Sequence, residues 1–178
     1  MKRTVGISTL IAFCLATSAS AVMIYEGTVE ILTQGSYQFR SEDGPALDLK
    51  LGAGIFVFDS FKVGAFGSVA DSDNVRQYGV GLNAEYMFDT GTVLIPFVGV
   101  SLGWSESRFT FARNGASQRE KSDGLLVGLE AGGKYFIAEN IAIALSYLFE
   151  WANDDIFSDG DQVEDTNHSI QLGMRFYF

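Results

Sequence analysis

The chain has 178 residues, of which 13% are aromatic, with 20 glycines, 2 prolines, one cysteine and a formal net charge of −10. That balance excludes a nucleic-acid partner, because such binding needs a basic footprint to neutralise phosphates. Beyond the first 21 residues no stretch approaches 18 uninterrupted apolar residues, which argues against a helical membrane protein.

Residues 1–21 read as a cleaved secretory signal. Lys2 and Arg3 give a charged start, an apolar run follows from Val5 to Ala16, and Ala19, Ser20 and Ala21 supply a small-residue cleavage site. The run is shorter than the roughly 20 residues a spanning helix needs, and no stop-transfer segment follows. Cys14 lies inside it behind Phe13, where lipoprotein acylation would need a small residue. The mature chain, 22–178, would then hold no cysteine, which excludes disulfides, thiolate metal sites and cysteine catalysis; no cofactor is expected. It is long enough for one domain and carries 10 basic against 22 acidic residues, a net charge of −12.

From there the apolar period is two nearly to the end, which predicts strands. The first covers 28–40, with Val29, Ile31, Tyr37 and Phe39 on one face, and a polar break at 41–45 ends it. The second, 46–58, aligns Leu47, Leu49, Leu51, Ala53, Ile55 and Val57, and Asp59 and Ser60 turn it tightly into a third at 61–70. A fourth covers 76–88, with Tyr78, Val80, Leu82, Ala84 and Tyr86 together. The fifth, 92–106, aligns Leu94, Val98, Val100, Leu102 and Trp104, although Ile95 and Phe97 fall on its polar face and Pro96 cannot donate to a ladder. A sixth at 124–136, a seventh at 141–151 and an eighth at 167–178 alternate in the same way. Connections alternate short and long. The expected fold is all-β: an eight-stranded antiparallel up-and-down transmembrane barrel with short periplasmic turns and longer extracellular loops.

A soluble barrel such as a lipocalin alternates equally well, so the orientation must come from elsewhere. The polar faces hold ten glycines (52, 54, 64, 79, 81, 99, 103, 128, 132 and 173), the apolar faces only Gly35, Gly67 and Gly133. Small residues suit a crowded lumen, whereas on a wet surface Gly only weakens a strand. The polar faces also carry Glu30, Asp48, Glu85, Glu130 and Glu150 against Arg40, Lys50, Lys62, Lys134 and Arg175. Five of each sign in an acidic chain suggest charges that pair inside, since an unpaired buried ion is costly. Aromatics gather toward both rims: Phe61, Tyr86, Phe88, Tyr135, Phe176 and Phe178 at one, Tyr37, Phe39, Tyr78, Trp104, Phe149 and Trp151 at the other. Two such belts mark membrane interfaces. The apolar face should point to lipid.

The last eleven residues, 168–178, set Ile170, Leu172, Met174, Phe176 and Phe178 at alternate places and end on Phe. This resembles the terminal signal of outer-membrane proteins, and the hairpins at 55–64 and 134–142 look like their periplasmic turns. The whole mature chain is similar to the small barrels grouped with OmpX and the opacity proteins. That resemblance implies the cell outer membrane, lipid and lipopolysaccharide as surroundings, and a barrel-assembly machinery that reads Met174, Phe176 and Phe178. It implies little about activity, since the group includes adhesins and stress proteins.

An eight-stranded lumen is just wide enough for side chains to fill, so a plugged barrel is expected, with Leu32, Phe66 and Leu148 among the fillers. Small barrels include lipid A deacylases that use a His and a Ser. Here the single histidine, His168, adjoins Ser169, and neighbours on a strand face opposite ways. No catalytic or metal site is expected. The stretch 152–165 holds Asp154, Asp155, Asp159, Asp161, Glu164 and Asp165, yet an EF-hand register puts Phe157 and Thr166 at ligand positions, so a solvated loop is expected. After strand five, the alternation at 109–113 and Asn114-Gly115 predict a projecting hairpin. Arg108, Arg113, Arg119 and Lys121 make it basic and offer contacts to lipopolysaccharide phosphates or to the acidic loop. The leading function is a non-enzymatic surface scaffold for adhesion, envelope stability or host contact, with an unknown extracellular partner. A narrow channel is the runner-up, and a lipid-modifying enzyme ranks third.

Overall fold

Alternating apolar and polar side chains leave each strand with one face for each environment, and closing the sheet removes the unpaired edges. The computed structural model describes residues 24–38, 47–71, 75–113, 116–153, 157–159 and 162–178. Ten strands occur in them: β1 (Val29–Gln38), β2 (Leu47–Phe58), β3 (Phe61–Asp71), β4 (Val75–Met87), β5 (Leu94–Arg113), β6 (Ala116–Ala138), β7 (Ile141–Ala152), β8 (Phe157–Asp159), β9 (Gln162–Glu164) and β10 (Thr166–Tyr177). Eight of them close an antiparallel barrel in the order β1-β10-β7-β6-β5-β4-β3-β2. Residues 1–23, with the expected signal and Cys14, lie outside the described residues.

The ladder between first and last strands completes the ring, and Val29 and Phe178 exchange both backbone hydrogen bonds at 2.9 Å. Following paired residues once around gives Tyr177, Glu30, Gly54, Gly64, Asn83, Ser101, Gly128, Glu150 and then Asn167. The path returns to β10 ten residues from where it left. Eight strands with a stagger of ten residues imply a tilt of about 41° and a backbone radius of about 8 Å, from standard strand rise and spacing. So narrow a ring leaves room for side chains and little else.

The two short hairpins are built alike. Phe56 and Phe136 turn inward, then Val57 and Ile137 are skipped by the ladder before the chain reverses. Such bulges tighten the local twist where the strand must turn back. Turn carbonyls then serve the next strand: Ser60 accepts from Met87 and Asn140 from Tyr177, at 2.8 and 2.9 Å.

Burial settles which face is which. Leu82 and Leu172 are 65% and 59% exposed, whereas Lys62 and Lys134 are 1% and 0% exposed. That inverts the usual distribution of a soluble protein. The aromatic residues expected at the short-turn rim sit there, with Tyr86, Phe88 and Phe178 exposed and Phe61 half-buried beside Tyr86. Tyr78, Trp104 and Trp151 are exposed toward the opposite rim; Phe39 lies outside the described residues.

The structure differs from expectation in two places. The fifth strand begins at Leu94 rather than 92, and its suspect residues are structural: Ile95 and Phe97 join Phe56, Met87, Phe136, Ala142 and Tyr177 in an apolar floor across the short-turn end. Pro96 stays on the outward face, where its carbonyl accepts from the Phe88 amide at 2.9 Å. Strands five and six continue beyond 106 and 124 as the expected projecting hairpin, paired as far as Arg113 with Ala116. The acidic stretch is not wholly irregular either, because β8 and β9 form a small ribbon, and the two residues between them in the sequence, Gly160 and Asp161, are themselves a hairpin signal.

Lumen glycines permit close approach. A Cβ added at Gly81 would meet the Leu102 carbonyl oxygen at 2.6 Å, Phe66 Cζ at 2.7 Å and Gly103 Cα at 2.8 Å. Two of those three atoms belong to backbone, so relief requires moving a strand. Gly81→Val should therefore destabilise the barrel by about 1–3 kcal/mol, the usual cost of overpacking. Urea unfolding in vesicles would measure it, and a neutral result would mean that the wall is looser than described.

Candidate functional site

The lumen is filled in levels set by the stagger. Above the apolar floor lies a layer of ions contributed by strands far apart in sequence. Glu30 on β1 accepts hydrogen bonds from Lys62 on β3 and, at 2.7 Å, from Lys134 on β6. Glu85 on β4 accepts from the same two lysines, from Lys62 at 3.3 Å. The four form a closed ring in which each carboxylate bridges both ammonium groups. Lys134 Nζ also lies 5.1 Å from the Phe97 ring centre and 5.7 Å from that of Tyr177, so cation–π attraction joins the ring to the floor.

Arg175 on β10 sits at the edge of this ring. Its Nη2 donates to Gln34 Oε1 at 2.6 Å, while Glu30 and Glu130 stand 3.7 and 3.9 Å away. Its Nε and Nη1 have no hydrogen-bond partner among the described residues. Gln34 links onward to Gln171 and, at 3.4 Å, to Glu130, which also accepts from Ser146 Oγ at 2.6 Å. Three cations and three carboxylates thus share the lower lumen, and six strands are tied through it.

Nearer the long-loop rim the contacts are sparser. Asp48 accepts from Ser36, Glu150 from Asn167 at 3.2 Å, and Lys50 Nζ lies 4.3 Å from the centre of the Phe66 ring. Gln77 donates to Ser105 at 2.8 Å. Nine of the ten lumen charges expected from sequence are placed on the inward face; Arg40 lies outside the described residues. The structure brings seven strands' side chains into contact here, and Leu32 and Leu148 fill the space between, 4% and 3% exposed.

His168 and Ser169 fall on opposite sides of the wall. Ser169 is buried in the lumen, whereas His168 faces outward, hydrogen-bonded through Nδ1 to the Tyr147 hydroxyl, its ring 5.0 Å from that of Phe149. The pair cannot act as nucleophile and base. Met174 and Phe178 are exposed on the outward face of β10, and Phe176 between them is half-buried. Of the acidic stretch, positions 154–156, 160 and 161 lie outside the described residues.

A ring with no free edge, greasy outside and with paired charges inside, is a transmembrane β-barrel. The family model described as "Outer membrane protein beta-barrel domain" matches residues 10–176, and the chain belongs to that family. Among solved structures it is similar to the N-terminal barrel domain of Pseudomonas aeruginosa OprF, at 21% identity and a TM-score of 0.60, covering 86% of this chain and 98% of that one. Neisserial surface protein A is similar at 15% identity and a TM-score of 0.59, over 91% of this chain and 100% of the other. A de novo designed transmembrane barrel is similar at 13% identity and a TM-score of 0.53, covering 88% and 99%. No curated protein sequence matches. A designed chain among the likenesses underlines that what is shared is the fold.

Proposed function

We propose that this outer-membrane protein is a closed, non-enzymatic scaffold that displays its long hairpin at the cell surface. The observation that carries the reading is the filled lumen: a ring of four buried ions resting on an apolar floor of Phe56, Ile95, Phe97, Phe136 and Tyr177. Water and solutes meet that floor at the short-turn end. The paired β5–β6 strands run nine residues beyond Trp104, about 30 Å of strand, which is ample reach for contact with other molecules. Adhesion, envelope stability and host contact all fit such a display.

On this reading the signal is cleaved after Ala21, the assembly machinery engages Met174, Phe176 and Phe178, and lipid and lipopolysaccharide surround the barrel. A narrow channel draws support from the polar column running from Gln77 and Asn167 down to Arg175. Planar-bilayer recordings of the refolded mature chain separate the two. Electrical silence is expected; a steady unitary conductance would reject the closed scaffold in favour of the channel.

A further inference from the structure

Ahead of β1 the chain does not lead straight away from the barrel. It reverses through Tyr25–Thr28, where the Thr28 N–H donates to the Tyr25 carbonyl at 3.1 Å and Gly27 takes a φ of +91°. A four-residue turn with a positive φ at its third residue is type II, which favours glycine at that place. The reversed segment is pinned to the first hairpin. Gly27 N–H donates to the Phe56 carbonyl at 2.8 Å, Phe56 N–H to the Thr28 carbonyl at 2.9 Å, and Glu26 N–H to Asp59 Oδ1 at 3.3 Å.

This anchoring leaves Tyr25 61% exposed and sets Ile24 against the apolar floor. The floor is the last lumen layer before the barrel ends, yet Phe56 and Ala142 in it are 0% exposed. In an open-ended barrel such a layer would meet water on its short-turn side. Among the described residues, Ile24 and Val93, the latter from the β4–β5 connection, are the apolar groups packed against it. Val93 is fixed by its own carbonyl, which accepts from Phe136 N–H at 2.8 Å. Ile24 depends on the turn at Gly27.

We propose that Ile24–Thr28 is a strap that seals the short-turn end of the lumen, and that its release lets water reach the floor and the ion ring above it. The proposal rests on the closed-barrel reading and names the element that completes the closure. A few hydrogen bonds and one isoleucine hold the strap, far less than holds a strand in its two ladders. It therefore opens at a smaller free-energy cost than the barrel does.

A thiol placed in the floor reports on the strap, because residues 22–178 contain no cysteine. Ala142→Cys puts one at a fully buried position with little change of size. The refolded chain 22–178 is held in nanodiscs, where both ends are accessible, and treated with a charged, membrane-impermeant maleimide. Labelling of a protected thiol then tracks the fraction of molecules that are open. With the strap intact, A142C should react far more slowly than Glu139→Cys on the exposed turn. Gly27→Val should speed A142C about tenfold, the effect of opposing one left-handed residue. A Cβ at position 27 meets nothing within 4 Å, so that substitution acts through the backbone alone. Ile24→Asp should speed it at least as much, whereas Glu26→Gln, whose backbone alone is used, should change nothing. Ser169→Cys, buried in the lumen toward the long-loop rim, should keep its rate in every variant.

Equal protection of A142C with and without G27V and I24D would mean that the floor seals itself, and would overturn the strap. So would fast labelling with the strap intact, or a matching rise at S169C, which would show the whole barrel loosening. Met87→Cys, in the same floor, repeats the comparison if A142C does not refold. Bilayer recordings keep the two readings apart. A silent barrel whose floor thiol ignores the strap loses only the strap, whereas a conducting wild type removes the closed scaffold.

Discussion

Replacing Glu30 by Gln should lower the unfolding free energy of the barrel by about 3–5 kcal/mol, the cost of breaking a buried ion pair from one side. Gln keeps the shape of the side chain, so the loss measures charge and hydrogen bonding rather than a cavity. Glu30 is 1% exposed and accepts from both Lys62 and Lys134. Without its charge, Lys62, Lys134 and Arg175 would face only Glu85 and Glu130, and Arg175 already has two nitrogens without a partner among the described residues. A lumen about 8 Å in backbone radius gives these ions no route to bulk water. Lys62→Met on top of Glu30→Gln restores the charge balance, so the double variant should be more stable than the single one. Urea titration of vesicle-embedded protein reads both. A single substitution costing under about 1 kcal/mol, or strict additivity of the two, would mean that the ring is solvated and the lumen is not closed there.

How much of this was legible in the sequence follows from what a period of two can encode. It assigns a face to every residue, so Leu82 outside and Lys134 inside were readable, as was the number of strands in the barrel. It does not assign a level. Glu30, Lys62, Glu85 and Lys134 are brought together by a stagger that accumulates around the ring, and nothing local in the chain reports that sum. The floor was hidden for a related reason. Ile95 and Phe97 looked like faults in alternation, because apolar residues on a polar face make sense only at the closed end.

Arginine at position 82 should cost about 2–4 kcal/mol in a bilayer, whereas arginine at position 69 should cost about 0–1 kcal/mol. The prediction separates a membrane barrel from a soluble one on depth alone. Leu82 lies midway along β4 between Tyr86 at one belt and Tyr78 at the other, four residues from each. Those eight residues of tilted strand span roughly 20 Å, close to the apolar band of a bacterial barrel. Val69 pairs with Tyr78 and so sits at the belt itself, where a long side chain reaches the headgroups. Exposure alone predicts the reverse order, since Leu82 is 65% exposed and Val69 only 45%. In water the more exposed site would be the more tolerant one. Refolding into vesicles of defined thickness, with unfolding followed by tryptophan fluorescence, gives both values under one set of conditions. Equal costs at the two positions, or a larger one at Val69, would remove hydrocarbon from around the apolar face and with it the assignment of everything inside as lumen.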